Sequence, residues 1–297
     1  MLFRSHVVAQ RTIYGGTFAL LKKVLPGYGV DVTFVDPVAE SVADSIRPET
    51  RAVLVETLAN PTFRVSDVAG IAAACAQARV PLLVDNTIAT PYLFRPLDLE
   101  GVTVVVDSTT KYLGGHSDLI GGAVSGPADL IDRIRHLAIE VGSTGGAFEA
   151  WLTLRGVQTL ALRMERQCSN AITVAQALIE HPKVAGIGYC GLTEHPDHGR
   201  ATDLFGGVGY GAMLSLDIQG GYEAALRACG SLNVVRVGSS FGSLHSQVCH
   251  PGTTSHRQLS AEEREAAGIG DGLLRVSIGG EDPEDLVDDF MQALEKA

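Results

Sequence analysis

Residues 102–111 read VTVVVDSTTK, an apolar β-branched run that ends in an acid, three small hydroxyl residues and a lysine. The run Val102 to Val106 predicts a strand that is buried on both faces. A lysine just past such a strand, with the flexible pair Gly114 and Gly115 after it, is poorly explained as surface charge. Because a desolvated lysine is nucleophilic, we interpret Lys111 as a reactive amine that forms a Schiff base.

The commonest carbonyl partner of such a lysine is pyridoxal phosphate, which needs an acid at its ring nitrogen and donors for its phosphate. Pro81 to Val84 predicts a strand that ends in Asp85, at the sheet edge where ligands bind in open α/β sheets. An ionised Asp85 would keep the ring nitrogen protonated. The hydroxyls of Ser108 and Thr110 are the expected phosphate donors, and Arg275 is the candidate for bidentate binding of a substrate carboxylate.

The first 125 residues alternate short apolar strands with helical or loop stretches. This order predicts a mostly parallel sheet with helices on both faces, an α/β fold. Ala147 to about Glu180 is expected to form one long helix with a kink near Gly156, on which Trp151 packs in the core. We place a domain boundary inside that helix, which gives a large domain of residues 1–162 and a smaller α+β domain of residues 163–297.

Composition excludes several classes of function. Lys+Arg 23 against Asp+Glu 34 gives a net charge of −11 without a basic run, which disfavours nucleic acid and anionic membranes as partners. No apolar stretch reaches the length of a membrane span. The five cysteines are scattered and never form a C-x-x-C pair, so neither disulfides nor a metal site are expected, and a cytoplasmic location fits.

Several segments, in this order, resemble the γ-subfamily of fold-type I pyridoxal-phosphate enzymes, the Cys/Met metabolism (trans-sulfuration) family. That family includes cystathionine γ-synthase, cystathionine γ-lyase, methionine γ-lyase and O-acylhomoserine sulfhydrylase. The resemblance implies the fold-type I transferase fold, with a mostly parallel sheet of the seven-stranded type. The matching segments are Tyr14–Thr17, Glu56–Pro61, Val84–Thr87, Ser108–Asp118, Leu154–Gly156, His250–Pro251, Ser255–His256 and Gly272–Asp282.

The resemblance also implies roles for single residues. Lys111 would hold the cofactor and then move the α-proton of the substrate, and Asp85 would pair with the ring nitrogen. Tyr14 would stack on the ring and assist proton transfer at the departing γ-substituent, while Asn60 would contact the ring hydroxyl. The remaining implied roles are phosphate binding by Ser108 and Thr110, and substrate binding by Arg275 and Ser240.

Two departures from the family pattern bear on function. The chain is expected to lack the family's N-terminal segment, with its Gly-rich phosphate loop and the Tyr-x-Arg motif that reaches a neighbouring subunit. Ser239 stands where cystathionine-processing members often carry glutamate, and Gly16 where methionine γ-lyases typically carry cysteine. Neither subgroup signature is intact.

The expected function is γ-elimination or γ-replacement on a sulfur-containing or O-acylated homoserine-type amino acid. Two alternatives stay open: a catalytically impaired chain that retains the fold, and another fold-type I activity such as transamination. The family implies a homo-oligomer, either a dimer or a tetramer. Lyase, synthase and sulfhydrylase share this machinery, so the sequence leaves the choice among them open.

Overall fold

The computed structural model describes residues 4–257 and 259–297. Backbone contacts group the chain into two compact units. The first unit comprises the residues up to 58 together with 66–114 and 118–158, and the second comprises 59–65, 115–117 and 159–297.

The first unit is built on one six-stranded sheet with the order β2-β1-β3-β4-β5-β6. Its strands are β1 (Ser5–Gln10), β2 (Val30–Val35), β3 (Thr50–Glu56), β4 (Leu82–Asp85), β5 (Val102–Ser108) and β6 (Gly122–Ser125). The first five are parallel, and β6 pairs antiparallel with β5. The described part of this unit thus has six strands in a mostly parallel sheet, in agreement with the predicted α/β fold.

The central strands are buried on both sides, as their β-branched composition predicts. Val53, Val55, Leu82 and Val84 have no exposed surface, and each such side chain contributes about 1.5–3 kcal/mol through burial. Because β1, β3, β4 and β5 run parallel, their carboxyl ends lie at one edge of the sheet. That edge carries the last residues of the four strands: Gln10, Glu56, Asp85 and Ser108.

The described part of this unit contains six α-helices. They are α1 (Gly15–Ala19), α2 (Ala39–Ser45), α3 (Val68–Ala78), α4 (Thr90–Leu93), α5 (Ala128–Val141) and α6 (Ala147–Val157). Helix α3 begins at an N-cap formed by Asp67 through a hydrogen bond from the Gly70 N–H at 3.1 Å. Such caps stabilise a helix start by pairing one of its free donors.

The single long helix expected from residue 147 to 180 is wrong. The chain forms α6 and then α7 (Leu160–Leu178), with Thr159 between them at φ −109° and ψ 7°. The Thr159 hydroxyl accepts a hydrogen bond from Arg163 Nε at 3.0 Å. As a β-branched residue, Thr159 has a reduced helix propensity, and apolar periodicity does not register a break of this kind. Trp151 is 56% exposed, so its expected place in the core is also wrong.

The second unit contains a five-stranded sheet with the order β7-β8-β11-β10-β9, antiparallel except for the β10–β9 pair. Its strands are β7 (Val184–Gly188), β8 (Met213–Ile218), β9 (Arg236–Val237), β10 (Gln247–Cys249) and β11 (Leu273–Ser277). Besides α7, its helices are α8 (His198–Phe205), α9 (Gly221–Ser231), α10 (Ala261–Ala266) and α11 (Pro283–Leu294). Among all the described helices, none is long and apolar enough to cross a membrane.

A buried acid anchors α11 within the second unit. Asp289 is 4% exposed and accepts the backbone N–H groups of Asn233, Val234 and Val235 at 2.7 to 2.9 Å. Burial acts to raise the pKa of Asp289, but these hydrogen bonds outweigh it and leave the pKa below its usual value. The ionised form of Asp289 therefore stabilises the fold.

We expect Asp289→Leu to lower the free energy of unfolding by about 1–3 kcal/mol at neutral pH, because backbone donors lose their acceptor. A carboxyl with a depressed folded-state pKa stabilises the fold above its unfolded pKa, about 3.9, and this contribution is lost as the pH falls through the folded value. The difference in the free energy of unfolding between wild type and variant should therefore become smaller in acid. Urea unfolding at a series of pH values measures it, and a gap that does not change with pH would contradict the assignment.

Candidate active site

The lysine selected from the sequence lies in one turn of π-helix, Thr109–Leu113, directly after β5. At Lys111 the backbone departs from helical geometry, with φ −95° and ψ −135°. The two residues after it, Tyr112 and Leu113, are buried, whereas Lys111 is partly exposed. The turn therefore packs its apolar residues and leaves Lys111 accessible.

Close packing fixes this turn against α6. The Gly114 N–H donates to the carbonyl of Thr109 at 2.9 Å. A Cβ atom on Gly156 would collide with the carbonyl oxygens of Leu113 and Gly114. Only a residue without a side chain fits at Gly156, so the structure gives this glycine a packing role next to the lysine turn.

Asp85 occupies the predicted place at the carboxyl end of β4 and is partly exposed. Its Oδ1 accepts the backbone N–H of Thr87 at 3.0 Å. Burial raises the pKa of Asp85 above its usual value, against an opposing effect of the hydrogen bonds from Thr87. A cation placed against this carboxylate would offset the cost of its desolvation.

Thr87 connects Asp85 to Ser108. The Thr87 hydroxyl oxygen accepts the backbone N–H of Ser108 at 2.9 Å, while the Thr87 backbone holds the Asp85 carboxylate. Thr87 thus links Asp85 to Ser108, which lies three positions before Lys111. Sequence reasoning did not select Thr87, although it stands in the quoted Val84–Thr87 segment.

Thr110, the second predicted phosphate ligand, is engaged with the backbone of Gly121. Its hydroxyl oxygen accepts the Gly121 N–H at 2.9 Å and donates to the Gly121 carbonyl at 3.3 Å. The Ser108 side chain is partly exposed. The Thr110 hydroxyl therefore also holds the loop that connects the lysine turn to β6.

Asp107 is a second buried acid that sequence reasoning missed. It is 7% exposed, and its Oδ1 has no hydrogen-bond partner within the described residues. Burial, together with the nearby charge of Asp85, raises the pKa of Asp107 to about 7. The two carboxylates resist being ionised at the same time.

Tyr14 stands at the N-cap of α1 and is 46% exposed. Its backbone N–H donates to Oε1 of Glu56, the last residue of β3, at 2.9 Å. Its ring lies over Gly16, where a Cβ atom would collide with it. The residue at position 16 therefore restricts where the Tyr14 ring can lie, and cysteine there would require the ring to shift.

Arg275 and Ser240 are both in the second unit and lie in hydrogen-bond contact. Arg275 is 2% exposed, and its Nη2 donates to the carbonyls of Ser239 and Ser240 at 2.6 and 3.1 Å. Its Nε has no hydrogen-bond partner within the described residues. The guanidinium carbon lies 5.3 Å from the ring centroid of Phe241. A buried guanidinium with donor capacity left fits a carboxylate ligand.

Asn60 and His256 are two further buried residues of the second unit. Asn60 is 3% exposed and lies in the segment 59–65, which the buried carboxylate of Asp197 holds through the Val65 N–H at 3.0 Å and a salt bridge to Arg64. Burial and the charge of Arg275 lower the pKa of His256 to about 4. His256 is therefore neutral at neutral pH.

The residues present fit pyridoxal phosphate. Asp85 is a desolvated carboxylate that a protonated ring nitrogen would stabilise, and Lys111 lies in the turn that follows the strand next to it. This pairing of a ring-nitrogen acid with an accessible lysine is what the cofactor's chemistry requires. No group of three or more metal-ligating side chains clusters in the described part of the chain.

This chemistry defines a class, the pyridoxal-phosphate enzymes, and sequence comparison confirms it. The chain belongs to the family described as Cys/Met metabolism PLP-dependent enzyme, whose model matches residues 3–295. The resemblance, the α/β fold and the cofactor expected from the sequence are thereby confirmed. The roles of the individual site residues remain predictions.

Relatives within the family differ in the reaction they are named for. The chain is 42% identical over 297 residues to L-methionine γ-lyase of Treponema denticola, covering 98% of this chain and 73% of the relative. It is 40% identical over 291 residues to cystathionine γ-synthase of Mycobacterium tuberculosis, covering 97% and 74%. The crystal structure of cystathionine γ-lyase from Lactobacillus plantarum, complexed with L-serine, superposes with a TM-score of 0.95 at 35% identity, covering 100% and 77%.

We expect Asp107→Asn to stabilise the protein increasingly as the pH rises from about 4 to about 7. The folded-state pKa of Asp107, about 7, lies above the unfolded value of about 3.9. Ionisation in the folded state is therefore disfavoured, and wild type loses stability over this window while the neutral amide does not. Melting temperatures of both proteins across the window test this, with Asp98→Asn, an exposed acid, as the matched control. Parallel curves for wild type and Asp107→Asn would contradict it.

Proposed function

We propose that this chain catalyses pyridoxal-phosphate-dependent γ-elimination or γ-replacement on a sulfur-containing or O-acylated homoserine-type amino acid. The observation that carries the proposal is the tie from Asp85 through Thr87 to Ser108, which links the expected ring-nitrogen acid to the strand that leads into Lys111. Relatives named as methionine γ-lyase and cystathionine γ-synthase support the reaction class. A relative crystallised with L-serine supports an amino-acid substrate.

The bound cofactor would supply an electron-withdrawing ring conjugated to the substrate amine. Lys111 would bind the cofactor covalently and, once released, carry the proton from the substrate Cα at its Nζ. Asp85 would keep the ring nitrogen protonated, because its carboxylate gains from an adjacent cation. Loss of a γ-substituent requires a carbanion equivalent at Cβ, so Asp85 is indispensable to this chemistry.

The other assigned residues would bind and orient. Ser108 and Thr110 would donate to the phosphate, with Thr110 releasing its 3.3 Å hydrogen bond to Gly121. Arg275 would bind the substrate α-carboxylate through its guanidinium group, whose Nε has no hydrogen-bond partner within the described residues, beside the backbone of Ser240. Asn60 would contact the ring hydroxyl, and Tyr14 would stack on the ring and assist the proton transfer at the γ-substituent.

We expect Asp85→Asn and Lys111→Ala to lower turnover by at least about a hundredfold while the fold is retained. Release of 2-oxo acid, ammonia and thiol from methionine and cystathionine, and replacement with O-acetylhomoserine plus a thiol, separate lyase from synthase and sulfhydrylase. The matched controls are Asp98→Asn and Lys183→Ala, both exposed. Near wild-type turnover by Asp85→Asn would overturn the mechanism.

The same experiment addresses the two alternatives. Visible absorbance after addition of pyridoxal phosphate, compared with Lys111→Ala, reports covalent cofactor binding. A catalytically impaired chain would show no Lys111-dependent band or no turnover, and a transaminase would form 2-oxo acid without release of thiol.

The predicted homo-oligomer is supported by an exposed apolar surface on α5 and α6, which we call the α5–α6 surface. It has seven large apolar side chains that are 42 to 70% exposed, namely Leu137, Ile139, Val141, Phe148, Trp151, Leu154 and Val157. The Phe148 and Trp151 rings stack with centroids 5.9 Å apart. Large apolar side chains exposed in this number mark association sites, and we propose that a second copy of the chain covers them.

We expect the double variant Phe148→Glu/Trp151→Glu to form a smaller oligomer than wild type, because buried unpaired carboxylates would destabilise the interface. Light scattering coupled to size-exclusion chromatography measures the molar mass. Tyr28→Glu, at a residue 73% exposed outside the surface, is the control. An unchanged mass for the double variant would show that this surface is not the interface.

The expected cytoplasmic location also remains a proposal. All five cysteines are buried thiols that form no disulfide, which suits a reducing compartment.

A further inference from the structure

Glu56 is a buried acid to which neither the sequence analysis nor the proposed reaction assigns a task. It is the last residue of β3 and is 5% exposed. In the parallel register its Cα lies opposite that of Asp85. Glu56 thus stands at the same sheet edge as the acid assigned to the ring nitrogen.

The carboxylate of Glu56 holds the backbone of Tyr14. Its Oε1 accepts the Tyr14 N–H at 2.9 Å. Tyr14 is the N-cap of α1, and its own side chain makes no capping hydrogen bond. A carboxylate at the start of a helix pairs a backbone donor and interacts favourably with the positive end of the helix dipole. These interactions offset part of the cost of burying the charge.

Glu56 is itself held rigidly by its neighbours. Its backbone N–H donates to Gln10 Oε1 at 2.8 Å, and its carbonyl accepts the Ser66 hydroxyl at 2.6 Å. The Gln10 amide in turn donates to the carbonyl and the hydroxyl of Thr12 at 3.0 and 3.1 Å. The sheet therefore fixes both the acid and the loop that leads to Tyr14.

The Tyr14 side chain has much less support of its own. It is 46% exposed, and the Cα of Gly16 beneath its ring provides no side chain to grip it. Where the ring lies depends chiefly on where its backbone is held. The hydrogen bond to Glu56 is the attachment of that backbone to the rigid sheet edge.

We infer that Glu56 is a positioning residue that sets the place of Tyr14 over the cofactor. The inference rests on the proposed role of Tyr14 in stacking on the ring and assisting proton transfer. In this role Glu56 acts through the Tyr14 backbone. Its effect must therefore disappear when the Tyr14 side chain is absent.

A double-mutant cycle tests this. Glu56→Leu, Glu56→Asp and Glu56→Gln are made in wild type and in Tyr14→Ala, with Asp289→Leu as a matched buried acid elsewhere. Each variant is measured for kcat/KM, for pyridoxal-phosphate affinity by visible absorbance, and for melting temperature. Residues that act as one unit give strongly non-additive effects.

In wild type, Glu56→Leu should lower kcat/KM on the order of a hundredfold, as a small misplacement of a catalytic group does, and weaken cofactor binding. Glu56→Asp keeps the charge but withdraws the acceptor, so it should show a smaller loss in the same direction without unfolding the chain. Glu56→Gln keeps an oxygen acceptor and should restore most of both quantities. In the Tyr14→Ala background, none of the three should change kcat/KM or cofactor affinity further.

Three outcomes would contradict either the proposed role of Tyr14 or the positioning role of Glu56. If Tyr14→Ala alone leaves kcat/KM and cofactor affinity unchanged, the proposed role of Tyr14 fails. If Tyr14→Ala is impaired but Glu56→Asp adds its full effect on top, Tyr14 stands and the positioning role of Glu56 fails. If Asp289→Leu reproduces the losses of Glu56→Leu at an equal fall in melting temperature, the effect of Glu56 is one of stability alone.

Discussion

Thr87 joins the ends of β4 and β5, two neighbouring strands of the parallel sheet, and the candidate site depends on that junction. Its backbone N–H holds the Asp85 carboxylate, and its hydroxyl accepts the N–H of Ser108. A register shift between Leu82 and Leu83 brings Asp85 opposite Val106 in β5. Side chains alternate between the two faces of a sheet. A shift of one residue in this strand pairing would therefore turn the Asp85 side chain to the other face, away from Lys111.

The parts of the site that follow from local sequence could be predicted. An apolar run that ends abruptly in Asp85, and another that leads into Lys111, place both residues at the carboxyl edge of a parallel sheet whatever the rest of the chain does. The alternation of strands and helices likewise fixes the α/β class.

The residues that support the site could not be read from the sequence, because their tasks depend on partners far along the chain. Glu56 meets Tyr14 from 42 positions away. The pKa of Asp107 is raised by its burial and by the charge of Asp85 on the neighbouring strand β4, and both depend on how the chain folds. The prediction for Trp151 was wrong for a related reason. An aromatic residue on a helix predicts burial, but nothing in the local sequence tells which partner buries it. The break at Thr159 lies in an otherwise helical pattern that propensity alone carries straight through.

The two faces of α6 serve different neighbours. One presents Phe148 and Trp151 on the α5–α6 surface, and the other brings Gly156 against the carbonyls of the turn that carries Lys111. In the proposed assembly, a neighbouring copy that packs on Phe148 and Trp151 of α6 would also stabilise the face of α6 that contacts the turn carrying Lys111. Since association follows mass action, the specific activity of each chain would then fall on dilution, so that the amount of enzyme present would itself govern how well each copy works.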